Sequence, residues 1–306
     1  MSASQIVVPP TVRPGEETSD RPPAARAAAT RTHWVATVVL LLGAVYCLLP
    51  VLWVVIATTK GPTELFTTFS FRPSFHGGFT GNISDLLAFG GGDFWRWGAN
   101  TLLYAGVGSV LSVAISAAAG YGLAKYRFRG KEALFRVILA GVLVPQITLA
   151  IPQYLLLAKL GLVGSYWSVL LPSIISPYGI YLCRIYAAAA VPDEMLEAGR
   201  IDGAGEARLF RFVGLPPMLP GLVTVLLLQF IATWNNFLLP FIMLSDNSKY
   251  PMTVGLYSLL NQGASQPSLY TLVIAGSMLS ILPLIALFLL LQRFWNMDML
   301  SGGLKG

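Results

Sequence analysis

Apolar residues in this chain fall in blocks rather than stripes. Six stretches, residues 34–58, 98–124, 133–157, 166–190, 219–244 and 269–291, hold few or no charges and are separated by polar, glycine- and proline-bearing segments. A helix that is apolar on every side is buried in a large core or in lipid. The hydrocarbon core of a bilayer is about 30 Å thick, which roughly 20 residues of helix cross. Inside it each backbone group must bond within its own segment, so the pattern predicts six membrane-spanning helices. Small residues recur through the second block (Gly106, Gly108, Ser109, Ser112, Ser116, Ala117, Gly120). They let helices approach closely, which places this span inside the bundle.

Composition changes the picture only by exclusion. The 306 residues are 55% hydrophobic and 11% charged, with a mean hydropathy of +0.67, whereas soluble domains carry about 25% charge. A soluble enzyme, a disordered scaffold and a nucleic-acid-binding domain are excluded as classes. The net charge of +6 resides mostly between the apolar blocks, so it is loop charge and no footprint for nucleic acid. Cys47 and Cys183 both sit in apolar stretches. They offer neither a disulfide framework nor metal-ligand spacing, and read as two small buried thiols.

The basic residues give an orientation. Arg13, Arg21, Arg26 and Arg31 precede the first block, and Lys125, Arg127, Arg129, Lys131 and Arg136 follow the second. Arg184, Arg200, Arg208 and Arg211 flank the link after the fourth, and Arg293 and Lys305 follow the sixth, against only Lys60, Arg72, Arg96, Lys159 and Lys249 in the alternate loops. Positive residues are retained inside, so both termini are expected in the cytoplasm. Residues 1–33, rich in Pro, Ala, Arg and Thr, read as a disordered cytoplasmic tail. The first block exceeds the roughly 7–15 apolar residues of a cleaved signal peptide and closes on no small-residue cleavage pattern, so it reads as a retained anchor. The outer loops 59–97, with Gly77, Gly78, Gly90, Gly91 and Gly92, and 245–268, with Asn247, Asn261, Gln262 and Gln266, are long. Loops of that length commonly have a task, either contact with an outside partner or simple connection.

No phosphate-binding G-x-x-x-x-G-K-[ST] loop occurs, and Gly203-Ala204-Gly205 lacks the rest of a dinucleotide fingerprint. His33 and His76 are the only histidines, so no histidine metal cluster or Ser-His-Asp triad is expected, and no residue is assigned a catalytic role. All 14 carboxylates fall outside the apolar blocks. Ion-coupled carriers commonly keep an ionisable group within the membrane, although carbonyls can hold sodium instead.

The segment VPDEMLEAGRIDGAGEARLFRFVGLPPMLPG, residues 191–221, carries the most information. Pro192 suits a helix start, and Asp193, Glu194 and Glu197 favour its positive end. Met195, Leu196, Gly199 and Ile201 give a partly apolar surface, and Gly203 and Gly205 break the helix. A second short helix over 206–213, with Leu209, Phe210 and Val213, is expected to stop at Pro216-Pro217. Such a pair can lie on a membrane or dock in another protein's groove, although an anchor usually holds more basic residues.

The order Glu197-Ala198-Gly199, Asp202-Gly203-Ala204, Phe210, Leu215-Pro216 closely resembles the EAA loop of importer permeases of the ATP-binding-cassette (ABC) superfamily. It lies before the penultimate helix, as in that family; Gly199 stands where alanine is usual. Residues 120–128 (GYGLAKYRF), Trp234-Asn235-Asn236-Phe237 with Pro240, and the ending Leu300-Ser301-Gly302-Gly303-Leu304-Lys305-Gly306 are similar to carbohydrate permeases of the maltose-transporter type.

The resemblance implies an all-α integral membrane protein with six transmembrane helices in the type I ABC importer arrangement. The transmembrane domain covers 34–306 and the coupling loop 192–217. The chain would be a non-catalytic subunit in a bacterial cytoplasmic membrane, in contact with lipid and with no nucleic acid. Its partners would be a second permease subunit in a heterodimer, two ATPase subunits that bind the ATP and Mg, and an extracytoplasmic solute-binding protein. This chain itself would hold no cofactor. Glu197 would pair with a basic residue of the ATPase, Gly203 would permit the turn, and Leu196, Ala198, Ala204 and Phe210 would make apolar contacts. Gly199, Asp202, Leu215 and Pro216 complete that coupling site, and Gly302, Gly303, Leu304, Lys305 and Gly306 would reach the ATPases.

A sugar path needs amides and aromatic faces. Trp234, Asn235, Asn236 and Gln229 in the fifth span, and Gln146 and Gln153 beside Pro145 and Pro152 in the third, are the candidates; amides at such places also bridge helices. The solute expected is a di- or oligosaccharide, with a glycerol-phosphate or polyol as the alternative. An ATP-independent secondary carrier is the rival class, and it leaves the order of residues 197–204 unexplained.

Overall fold

The computed structural model describes the backbone of residues 23–302 and the side chains of residues 34–294. Among the described residues all regular structure is helical. The chain divides into two units between Leu52 and Trp53. The first helix, α1 (Pro23–Thr58), crosses that boundary and begins within the segment read as a tail; residues 1–22 lie outside the described residues. From Trp34 to Thr58 it carries no charged side chain. Cys47 on α1 is exposed, in contrast to the expected buried thiol, whereas Cys183 is buried.

In the second unit, α2 (Pro62–Thr67) and α3 (Gly78–Ala88) lead to α4 (Asp93–Leu102). A π-turn, Leu103–Val107, joins α4 to α5 (Gly108–Lys125). Then come α6 (Lys131–Leu143), α7 (Gln146–Lys159), α8 (Trp167–Ser173), α9 (Pro177–Ala190) and the short α10 (Asp193–Ile201) and α11 (Glu206–Leu209). A second π-turn, Phe210–Gly214, opens into α12 (Leu215–Trp234), followed by α13 (Leu238–Met243), α14 (Met252–Gln262) and α15 (Ser268–Gly302).

Among the described residues, five helical stretches are long and apolar enough to cross a bilayer: Trp34–Thr58, Asp93–Lys125, Trp167–Ala190, Glu206–Trp234 and Ser268–Phe294. The expected third span is not one helix; α6 and α7 meet at 104°. Val144 precedes Pro145 and is extended at φ −76°, ψ 121°, because the proline ring excludes the residue before it from the helical region. The expected fifth span also breaks, with α12 ending at Trp234 and α13 resuming at Leu238.

Pro216-Pro217 do not stop the helix as expected. The Leu215 amide bonds back to the Phe210 carbonyl, five residues away, and the prolines then fall in the first turn of α12. A missing N–H does little harm there.

The small residues of the second span do face inward: Gly108, Ser109, Ser112, Ser116, Ala117 and Gly120 are buried. A Cβ on Gly120 would lie 2.6 Å from the Arg184 amide nitrogen and from Cys183 Cβ, so α5 and α9 touch almost backbone to backbone. At the C-terminal end of α5, Tyr121, Cys183, Ala187, Leu196, Leu209 and Met218 form one apolar cluster. At the other end of that span, Leu86, Phe94, Trp97, Leu256, Leu259 and Leu272 form another.

The segments read as long loops are largely ordered helix at this second end. Lys60 is buried, and its Nζ donates to the carbonyls of Phe69 (2.7 Å) and Ser70 (3.3 Å). Asn82 donates to the carbonyls of Thr58 and Lys60, which satisfies the last carbonyls of α1. Asn100 Nδ2 donates to the carbonyls of Ser248 (2.9 Å) and Tyr250 (3.0 Å). Trp97 donates to Asn247 Oδ1, whose own amide donates to Asp93.

Candidate functional site

The segment resembling the EAA loop folds as a helix, a tight turn and a second helix. Gly203, at φ +80°, supplies a left-handed residue that a side chain strains. The Gly203 amide donates to the Arg200 carbonyl and the Ala204 amide to the Gly199 carbonyl, both at 3.0 Å. These two bonds are those of a Schellman cap, which satisfies carbonyls that the helix end leaves open.

One side of this hairpin faces the protein itself. Leu196 is the only buried residue of α10 and packs with Tyr121 and Leu209. The Phe210 ring lies 5.0 Å from that of Tyr121, and Ala204, Phe210 and Leu215 are half-buried against the same cluster. Gly199 also faces inward, since a Cβ there would lie 2.5 Å from Leu209 Cδ2.

The other side faces outward. Glu197, Ala198, Asp202, Gly203 and Pro216 are exposed. Met195 is 46%, Phe212 65% and Ile201 87% exposed. Apolar side chains held out beside acids suit a partner's groove. Phe212 had no place in the sequence argument, although a helix over 206–213 turns positions 210 and 212 to different faces.

Charges bind the hairpin to the end of α5. Lys125 Nζ lies 2.8 Å from Asp193 Oδ1, with the lysine side chain 8% exposed. That hydrogen bond, with the lysine charge, holds the Asp193 carboxyl below the usual carboxylate range. Arg200 bonds both Glu206 oxygens at 3.0 and 3.4 Å across the Gly203 turn, and this contact raises the Arg200 guanidinium further. The Tyr126 hydroxyl is pushed up to about 12, chiefly by burial and then by its hydrogen bond to Glu206. Sequence reading took Lys125 only as orienting charge. Its contact lies 68 positions away, which no local pattern reveals.

The candidate pathway residues are placed apart. Gln229 Nε2 donates to the Ser173 carbonyl at 3.2 Å, bridging α12 to the end of α8. Trp234 is buried and stacks on Phe230. Asn235 is exposed and donates to the Ile231 carbonyl of its own helix. Asn236 Oδ1 accepts from the Leu239 amide at 3.4 Å, at the start of α13. Gln146 is exposed at the start of α7 and Gln153 is half-buried. An apolar cavity of about 320 Å³ between α5 and α12, lined by Val110, Val113, Phe210, Leu215 and Leu222 among others, offers no hydrogen-bonding side chain to a polar solute. Gly302 is the last backbone position described in α15; Gly303, Leu304, Lys305 and Gly306 lie outside the described residues.

An acidic and apolar hairpin fixed to one end of a set of long apolar helices defines a membrane component with an outward-facing acidic and apolar surface at that end. The chain belongs to the family of binding-protein-dependent transport system inner membrane components, whose model matches residues 108–297. It is 33% identical over 278 residues to the arabinooligosaccharides transport system permease protein AraQ of Halalkalibacterium halodurans, covering 89% of this chain and 96% of that one. It is 30% identical to the lactose transport system permease protein LacG of Rhizobium radiobacter over 86% of this chain and 93% of that one. The fold matches the crystal structure of a bacterial ABC transporter involved in the import of the acidic polysaccharide alginate, with a TM-score of 0.74 and 23% identity, over 90% of this chain and 99% of that chain.

Proposed function

We propose that this chain is one membrane half of an ATP-driven importer of neutral di- or oligosaccharides in a bacterial cytoplasmic membrane. The supporting observation is the capped hairpin at residues 193–214, with Glu197, Met195 and Ile201 facing out over a core that includes Leu196 and Leu209. The excess of basic residues on the same side as this hairpin supports a cytoplasmic position for it and for both termini. An ATPase subunit there receives α10, and Glu197 pairs with a base in its cleft. ATP and Mg are bound by that subunit, and its closure shifts the permease pair between inward- and outward-facing states. A second permease subunit completes the pathway, and an external binding protein delivers the solute. The sugar assignment follows the substrates named for the relatives, and apolar blocks that contain no carboxylate weigh against an ion-coupled carrier.

Mild extraction of the tagged chain from its native membrane tests this. Two copies of an ATPase and a second six-span permease should co-purify. Arabino-oligosaccharides, lactose and maltodextrins, each with the binding protein, are then screened for stimulation of ATP hydrolysis. A chain that moves solute alone, without ATP, refutes the proposal, and stimulation by glycerol phosphate or a polyol instead of sugars corrects the substrate class.

A further inference from the structure

Leu196 alone anchors α10 by burial. One side chain fixes a point, and a helix held at one point can swing about it. A polar contact at the end of α5 supplies a second constraint. Lys125 holds Asp193, at the first turn of α10, at 2.8 Å. Arg200, in the last turn of α10, bonds Glu206 across the Gly203 turn, which holds the two helices of the hairpin together. The helix is therefore tied to α5 at its first turn. Lys131 Nζ donates to the carbonyls of Ala124 (3.2 Å) and Tyr126 (3.1 Å), which keeps the end of α5 closed and sets a cation at its negative pole.

Behind the tie, α5 abuts α9 at Gly120 with no room for a methyl group, so a displacement of the end of α5 carries α9 with it.

We propose that Lys125 is a positioning residue that fastens the partner-engaging helix α10 to the α5–α9 pair through Asp193. A push on α10 then moves α5 and α9 as one body. The proposal rests on the reading that α10 engages an ATPase.

Hydrogen–deuterium exchange of the intact purified complex, with and without MgATP, tests it. In the wild type, ATP changes exchange in α10 and in residues 118–126 together. Lys125→Asp, Asp193→Lys and Asp193→Asn are each expected to reduce the ATP-induced change in residues 118–126 by about tenfold, within the usual range of a coupling between sites. The change at α10 itself should remain. The double variant Lys125→Asp with Asp193→Lys should recover much of the lost signal, an outcome that a merely structural lysine does not give. Asp193→Asn removes one charge from an exposed side chain, so it reports even where a charge reversal fails to assemble. Equal ATP responses in residues 118–126 of wild type and Asp193→Asn overturn the proposal, as does a charge-reversed chain that responds normally. Failure of any ATPase to co-purify with the wild-type chain refutes the functional reading on which the proposal rests.

Discussion

Gly120 and Arg184 face each other across the α5–α9 contact so closely that a Cβ on the glycine would lie 2.6 Å from the arginine amide nitrogen. The neighbour is backbone and has no rotamer with which to give way. Overpacking a buried contact costs about 1–3 kcal/mol. Gly120→Val is therefore expected to lower the midpoint of thermal unfolding in detergent, and Gly106→Val, where a Cβ meets nothing within 4 Å, should change it little. Fluorescence-detected unfolding of both variants checks this.

Gly203 has open space around its Cα but a φ of +80°. The penalty for a side chain is conformational, roughly 1–2 kcal/mol for an L-residue in the left-handed region and greater for a β-branched one. Gly203→Val should leave the chain in the membrane and abolish ATP-driven uptake; Gly203→Asn, which tolerates this region, should retain part of it. Normal uptake by the valine variant would remove the turn from the coupling mechanism.

Gly199 sets two effects against each other. Alanine there gains about 1 kcal/mol of helix propensity. Its methyl group would press on Leu209, which is fully buried, at the roughly 1–3 kcal/mol typical of overpacking. Gly199→Ala is expected to be neutral to destabilising, and Gly199→Ala combined with Leu209→Val should be more stable than the sum of the single changes. A double-mutant cycle by thermal unfolding decides it.

Asn100 is buried, donates to two backbone carbonyls and accepts from the Tyr166 hydroxyl at 3.2 Å. Each buried polar group left unpaired costs about 1–3 kcal/mol. Asn100→Leu, close in volume, should therefore lower the unfolding midpoint and raise hydrogen exchange in residues 246–252. The hairpin at residues 193–214 should be unaffected.

Asp193 predicts a pH dependence. Its carboxyl lies below the usual range in the folded protein because Lys125 bonds it. The contribution of the pair is thus present above the unfolded carboxylate pKa, about 3.9, and is lost as pH falls through the lowered folded value. The difference in midpoint between wild type and Asp193→Asn should stay constant from neutral pH to about pH 5 and shrink in more acid solution. A difference that vanishes nearer pH 7 would show that another group controls the contact.

The apolar blocks by themselves determined roughly which stretches of the chain could cross a membrane, because the demand for internally bonded backbone and about 20 apolar residues leaves few choices. The order Glu197 to Ala204 determined the hairpin, because a glycine with the right neighbours specifies a capped turn locally. The inward face of the second span was legible for the same reason, since small residues serve close helix contact.

Tertiary structure decided the rest. Val144-Pro145 could be read as a kink within one span or as a full break, and only the folded structure shows a 104° bend. Pro216-Pro217 stop an α-helix but enter the first turn after a π-turn, a register no local propensity reports. Leu196 and Phe210, expected to face the partner, turn inward because Tyr121 and Leu209 cover them, while Phe212 and Ile201 are left outside. Lys125 and Asp193 meet across 68 positions of chain. A one-dimensional pattern fixes periodicity, caps and breaks; which of two faces is covered depends on side chains that arrive from elsewhere in the fold.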